Sequence, residues 1–340
     1  MKKITAQYVS LTFGLILIGI CACYWAFCTS VSTQESDTYL YVDTDDTADS
    51  VFVKIEKVVK PRHKVALKIC AALMSYSDNV HSGRYLVSTE TSAFRLIRNL
   101  RGGRQTPVRL VIPVAHTTED LAGKLAKQLQ ADSTTLSKAF NNETLLKSLA
   151  VNKATLPCLF IPNTYEVYWD ISPESLLKRM KEERDAFWTT ERKNQAKKAR
   201  LTPDEVITMA SIVEQESSNK EEKPKIAGMY LNRLHQGMKL QADPTVKFAL
   251  HDFALKRIMH DHLTIDSPYN TYRNEGLPIG PICIPSLESI EAVLHFETHN
   301  YLYMCAKEDF SGTHNFASTY EEHLKNAKRY AQALNEQGIK

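Results

Sequence analysis

Residues 201–217 read LTPDEVITMASIVEQES, and the shape of this stretch governs its surroundings. Thr202, Pro203 and Glu205 form a capping box with proline at the first helical position, so a helix begins here. Val206, Met209, Ala210 and Val213 recur at i, i+3, i+4 and i+7, which gives the helix an apolar face. Two glutamates, Glu214 and Glu216, close it. Burying charge is costly, so the carboxylates mark either a helix reaching the surface or an acid held among apolar groups. A helical side chain leans over the turn N-terminal to its own position. Beneath Glu216 lie Ile212 and Val213, whereas beneath Glu214 lie only Ala210 and Ser211. Apolar neighbours and the helix C-terminus both disfavour an anion at Glu216. A general acid working near neutral pH needs such a setting.

Working outward, SNKEEKPKIAGMYLNRLHQG (218–237) predicts a second helix, boxed by Asn219 and Glu222 and stopped at Gly237. MKLQ (238–241) fits a short strand, and ADPTVKFAL (242–250) a third helix with Asp243 as cap and Pro244 behind it. DSPYNTYRNEGLPIGPICIPS (266–286) is a long loop, and loops of that length inside a domain are usually functional or disordered. SIEAVLHF predicts a helix, NYLYMCAK a strand, GTHNFAST a turn, and a final helix follows. Upstream, Ser172–Ala199 reads as one long charged helix with a solvated face. Between residues 51 and 113, VFVKIEKVV, RYLVS and PVRLVIP read as strands. SAFRLIRNLRGG and TTEDLAGKLAKQL read as amphipathic helices, the second capped by Thr117 or Thr118.

Several groups suited to a sugar polymer surround the acid. Gln241, Asp243, Asn270, Thr271 and Tyr272 offer amide, carboxyl and hydroxyl groups, and Tyr165, Tyr269, His314 and Phe316 offer rings. Amides beside aromatic faces match pyranose rings, which have hydroxyl edges and CH faces. Each residue also has a plainer reading, as a cap or as packing.

The 340 residues carry 42 basic and 39 acidic side chains, a balance that argues against nucleic acid as partner. Lys2 and Lys3 precede an apolar run from about Val9 to Cys28, and an acidic stretch from Glu35 to Asp49 follows. That run is long enough for one membrane-spanning helix, and the charge bias puts the N-terminus in the cytoplasm and the body outside. Of the seven cysteines, four lie outside this run, and neither a CxxC nor a Cys/His metal spacing links them. No metal or other cofactor is expected. HDH at 260–262 offers two histidines without a third ligand at a familiar spacing.

Four motifs, MASIVEQES, AGMYLNRLHQGMKLQADPTVKFAL, YNTYRNEGLPIGPICIPS and THNFASTYEEH, occur in an order that closely resembles the MltG (YceG-like) family of endolytic murein transglycosylases. The resemblance runs from about Leu156 to near the C-terminus, and Ser82–Ala139 more weakly resembles that family's LysM-like part. It implies an α+β protein: an anchor at 1–30, a linker at 31–50, a membrane-proximal module with the LysM-like part at 51–150, and a catalytic domain at 156–340. It also implies lytic cleavage of the β-1,4 bond between N-acetylmuramic acid and N-acetylglucosamine, leaving 1,6-anhydro ends and terminating glycan elongation. The second glutamate of the family's E-x-E maps onto Glu216. Gln241, Asp243, Asn270, Thr271, Tyr272 and His314 are the candidate substrate-binding residues. Expected partners are peptidoglycan glycan strands and, among proteins, peptidoglycan synthases, at the bacterial inner membrane. Two departures stand out: Gln215 where a lysine is common, and Cys283 inside the Pro/Gly loop. The rival readings are a tethered peptidoglycan-binding scaffold without catalysis and a hydrolase pairing Glu216 with Asp243 or Glu166.

Overall fold

Capping, not alternation, decides the segment from Val51 to Val59. The Thr47 hydroxyl accepts a hydrogen bond from the Ser50 amide, the Ser50 hydroxyl accepts one from the Thr47 amide, and the helix Ala48–Val58 follows. Val51 and Ile55 are buried one turn apart, while Val53 between them is 68% exposed. The strand expected here is therefore a helix: the buried residues repeat at i and i+4, and the apparent alternation is incidental.

The computed structural model describes residues 2–255 and 257–337, without the side chains of 2–12. The architecture is mixed α+β and divides into two units. The first runs to Leu110 and takes in Gln128–Gln130 and Tyr165–Ile171; the second holds Val111–Lys127, Ala131–Thr164 and the chain from Ser172. Ser82–Ala139, the stretch with the LysM-like resemblance, is thus shared between them.

In the first unit, Thr38–Val42 pairs antiparallel with Gly83–Val87, from Thr38 opposite Val87 to Val42 opposite Gly83. Residues 31–50 are accordingly not a linker, because Val31, Leu40 and Val42 enter the core with Ile55, Leu67, Tyr76, Ile97 and Leu100. A helix spans Lys2–Cys28, and Phe13, Leu15–Ile18, Ile20, Tyr24 and Trp25 on it are exposed. The expected membrane span includes residues 9–12, and with Lys2 and Lys3 their side chains lie outside those described. Among the described residues no helix is long and apolar enough to cross a membrane.

The second unit is built around the helix Pro203–Glu216, whose capping box at Thr202 and Glu205 forms as expected. It does not have one apolar face. Val206 through Val213 are all buried, against helices Lys223–His235, Asp243–Leu250 and Leu287–Leu294. A helix apolar or small all round is a core element, and truncating Ile212 to Ala would cost about 2–5 kcal/mol. Ser211, inside it, accepts the Ile282 amide and so ties the long loop to the helix.

The segment 297–301 runs alongside the helix Lys223–His235. Asn232 donates to the carbonyls of His299 (2.7 Å) and Tyr301 (3.0 Å), and the His299 Nε2–H donates to Lys225 O at 2.9 Å. The approach is close enough that a Cβ on Gly228 would stand 2.2 Å from Glu297 O. A hairpin, Tyr303–Ala306 with His314–Ala317, and the helix Tyr320–Glu336 complete the unit.

Five further expectations differ from the structure. The charged helix is two, Pro173–Phe187 and Thr190–Lys198, because Thr189 leaves helical geometry and caps the second. MKLQ is not a strand, and within the expected turn His314–Ala317 is one. Asn219 turns onto the Glu221 amide, so the next helix starts at Lys223 without a side-chain cap. Asp243 is the first residue of its helix, with Ala242 at the cap position, which leaves its carboxylate for another partner.

Candidate active site

Glu216 is the last residue of the buried helix, and Ser217 leaves it in an extended conformation. The carboxyl meets one wall of a cavity of about 400 Å³ that Tyr230, Arg233, Gln241, Asp243, Tyr272 and His314 also line. Part of the side chain stays open to the cavity while protein crowds the rest. Tyr230, on the neighbouring helix, donates its hydroxyl to Glu216 Oε1 at 2.5 Å. Burial pushes the Glu216 carboxyl up to about 7, and the charge of Asp243 pushes the same way; the Tyr230 hydrogen bond, His314 and Lys247 only partly offset them. A carboxyl so placed can give or take a proton near neutral pH.

Glu214, on the other side of the helix end, is a contrast. Burial opposes its charge, but hydrogen bonds from Ser286, Ser289 and Lys223 outweigh burial and hold it below the ordinary carboxylate range. Ser286 also donates its backbone amide at 3.2 Å. Glu214 favours its ionised form and joins three segments, and the sequence reading, which saw only its own turn, missed this role.

Gln241 holds a left-handed backbone at φ 53°, rare for a side chain of its size. Arg233 fixes it, donating to Gln241 Oε1 and to the carbonyls of Lys239 and Leu302. The Gln241 amide nitrogen therefore remains as a donor. Asp243 accepts the Tyr272 hydroxyl at 2.6 Å. Glu222 clamps His314 by its backbone amide (2.7 Å) and by Nδ1 (2.9 Å), leaving Nε2 free of that clamp.

Asn270 and Thr271 stand elsewhere. Both are buried and neither lines the cavity. Asn270 donates to Leu263 O and Ile265 O and accepts the Tyr272 amide, so it shapes the loop. Thr271 accepts the Ala242 amide and pairs with Thr245. They set the backbone from which Tyr272 and Gln241 project. Of the candidate rings, Tyr269 packs on Phe248 beside a different cavity, Phe316 packs on Tyr301, and Tyr165 is a buried strand residue of the first unit.

Tyr230, Arg233 and Glu222 were not among the functional candidates read from the sequence, where Glu222 served only as half of a capping box. One signal was available, since a tyrosine on a buried helical stripe needs a partner for its hydroxyl. Among the described residues no group of three or more His, Cys, Asp or Glu is arranged to hold a metal ion. In HDH, His262 Nδ1 accepts the Met259 amide.

Fold and site together define an α+β protein with a single tuned carboxylic acid in a cavity of amides, hydroxyls and rings. The chain belongs to the YceG-like family, whose model matches residues 40–329. It is 39% identical over 167 residues to a Bacillus subtilis (strain 168) protein named endolytic murein transglycosylase, covering 49% of this chain and 45% of that one. It is 29% identical over 313 residues to a protein of the same name from Streptococcus pneumoniae serotype 2 (strain D39), covering 82% and 56%. The chain thus spans about half the length of the curated relatives it matches. The crystal structure of the yceG-like protein lmo1499 from Listeria monocytogenes superposes with TM-score 0.56 at 26% identity, over 86% of this chain and 99% of that one.

Proposed function

We propose that this chain is an endolytic peptidoglycan lytic transglycosylase with Glu216 as its acid and base. The observation that carries this reading is the Glu216 carboxyl, pushed up to about 7 beside a hydroxyl donor in an open cavity. Its relatives' names point to the same reaction. Protonated Glu216 gives its proton to the glycosidic oxygen as the bond to C1 of the muramoyl residue breaks. The resulting carboxylate then takes the proton from that residue's C6 hydroxyl, whose oxygen attacks C1 and closes a 1,6-anhydro ring. The other product carries a free C4 hydroxyl on N-acetylglucosamine. Water is not consumed, and Glu216 ends protonated as it began. A hydrolase of ordinary type needs a second carboxylate; here the substrate supplies the nucleophile.

The remaining cavity groups have roles in this scheme. The Tyr230 hydroxyl steadies Glu216 after it has lost its proton. The Gln241 amide nitrogen and the His314 ring are placed to donate to sugar oxygens, and Asp243 keeps Glu216 basic enough to recover a proton. Glu166, the other hydrolase candidate, belongs to the first unit. Asp243 lines the Glu216 cavity, and this favours a second reading as a hydrolase with Asp243 as base.

Mass spectrometry of glycan digested in ¹⁸O-labelled water separates the two readings. Unlabelled 1,6-anhydro ends at internal cuts are expected, and label at the new ends would replace the first reading with the second.

The same proposal places the body outside a bacterial inner membrane, tethered by the helix Lys2–Cys28. Support comes from the Lys2–Lys3 start, the acidic stretch behind the helix, and the exposed apolar side chains along it. The LysM-like stretch would hold glycan, peptidoglycan synthases would be neighbours, and the cuts would end strand growth. A reporter fused behind the chain should be active only outside the cytoplasm, and activity inside would remove the topology.

A further inference from the structure

The cavity that holds Glu216 has a second aromatic wall, contributed by the end of the chain. Tyr303 on the hairpin and Tyr320 and His323 in the first turn of the final helix all line it. The rings form a ladder. The Arg233 guanidinium stands 5.6 Å from the Tyr303 centroid, His323 stacks on Tyr303 at 5.4 Å, and Tyr320 leans on both, at 5.7 Å and 6.1 Å. Packing alone does not account for the arrangement. Tyr320 is 59% exposed and no residue of the helix Tyr320–Glu336 is fully buried, so a large ring at the mouth of a polar cavity presents open surface.

His323 adds a polar observation. Its Nδ1 is buried without a hydrogen-bond partner. A buried N–H without an acceptor is rarer and costlier than an unused lone pair, so the proton of the neutral ring sits on Nε2. Burial, with the charge of Arg233 adding to it, holds the imidazole below its ordinary range and keeps it neutral. The wall thus offers open aromatic surface, tyrosine hydroxyls and one fixed ring donor. An apolar ligand would leave those polar groups unused. A pyranose ring fits all of them: its CH face lies on an aromatic face, whose quadrupole is negative, and its edge oxygens accept hydrogen bonds.

We propose that Tyr303, Tyr320 and His323 form a saccharide subsite of this cavity, taking an N-acetylhexosamine ring that flanks the bond to be cut. The proposal rests on the glycan reading above and adds to it the residues that grip the strand beside Glu216. Tyr320 supplies the ring face, His323 the donor, and Tyr303, backed by Arg233, the support that holds them.

The test is calorimetric titration of the full chain in detergent with tetra-N-acetylchitotetraose, alongside glycan-cleavage kinetics. Truncating an aromatic anchor commonly weakens binding about tenfold. Tyr320→Ala should do so, raising KM more than it lowers kcat. Tyr320→Leu keeps apolar bulk for packing but has no ring face and should weaken binding equally, whereas Tyr320→Trp should keep the affinity. Parent-like affinity in both the Ala and the Leu variants would overturn the proposal, as would a parent chain that does not bind the tetrasaccharide. Cleavage that persists with affinity unmoved in Tyr320→Ala removes the subsite and leaves the reaction standing. Tyr320-dependent binding in a chain that cuts no glycan removes the reaction and leaves the subsite.

Discussion

The two sides of one helix end treat a carboxylate in opposite ways. On one side Glu214 is surrounded by donors from Lys223, Ser286 and Ser289 and is held ionised. On the other, two residues along, Glu216 has a single hydroxyl donor and a carboxylate for a neighbour, and its proton is held to about pH 7. Both are crowded by protein, so burial alone does not decide the outcome. The number and sign of the partners does. A buried carboxylate with enough donors is part of the scaffold, and one kept short of donors is available for proton transfer.

The largest expected effect tests the second half of that contrast. Glu216→Gln keeps the shape but cannot move a proton, and glycan cleavage should fall about 10²- to 10⁴-fold with the fold intact. Its stability should report the same tuning. The folded carboxyl titrates near 7 and an unfolded one near 4.5, so the parent is penalised when ionised: the penalty is full above pH 7 and absent below 4.5. Glu216→Gln should therefore be the more stable chain above pH 7, with the gain fading as pH falls through that window. Melting curves at several pH values check this, and a gain that grows toward acid would break the comparison.

Glu214→Gln tests the other half. It leaves the Lys223 ammonium, whose side chain is 4% exposed, without its counter-charge. Breaking such a pair costs about 3 kcal/mol, so denaturant midpoints should drop clearly while activity per folded molecule stays far above that of Glu216→Gln. A silent Glu214→Gln would mean the two sides are not distinct.

Asn270→Ala probes the loop that carries Tyr272. The carbonyls of Leu263 and Ile265, both partly buried, lose the donor of a buried side chain. The expected cost is about 2 kcal/mol, seen as a lower melting temperature. Reduced turnover with unchanged stability would return Asn270 to the role of sugar ligand.

The finest test moves the titration itself. If Glu216 must be protonated to start the reaction, kcat/KM should fall above about pH 7. Tyr230→Phe removes the donor that favours the carboxylate and should move that alkaline limb to higher pH. Asp243→Asn removes the like charge and should move it lower. Limbs that shift in the same direction would show that these neighbours do not set the acid.

How much of this was legible in the sequence follows from distance along the chain. Glu216 was, because its apolar turn is local and a helical side chain leans over it. Glu214 was not, because two of its partners, Ser286 and Ser289, lie 72 and 75 residues away. The strand predicted at Val51–Val59 failed because Val51 and Ile55, four apart, fit both periods, and only the cap at Thr47 separates the two readings. The long loop was marked as functional or disordered, but which of its polar residues face inward was not readable. Asn270 and Tyr272 are two positions apart, and one holds backbone while the other holds Asp243.

Gly228 shows how far from the acid its tuning can be disturbed. The helix that carries Tyr230 lies against the carbonyl of Glu297 at a point where only a hydrogen atom has room. Two positions on, at about 100° per residue, Tyr230 points to the opposite side of that helix. A methyl group at 228 forces either the 297–299 segment or the helix to give way, and a helix that gives way carries Tyr230 with it. A steric clearance on the far face of one helix thus helps to position the phenol that meets the acid. Screens that look only at cavity residues would pass over Gly228, where one added carbon should act as an activity mutation without touching substrate.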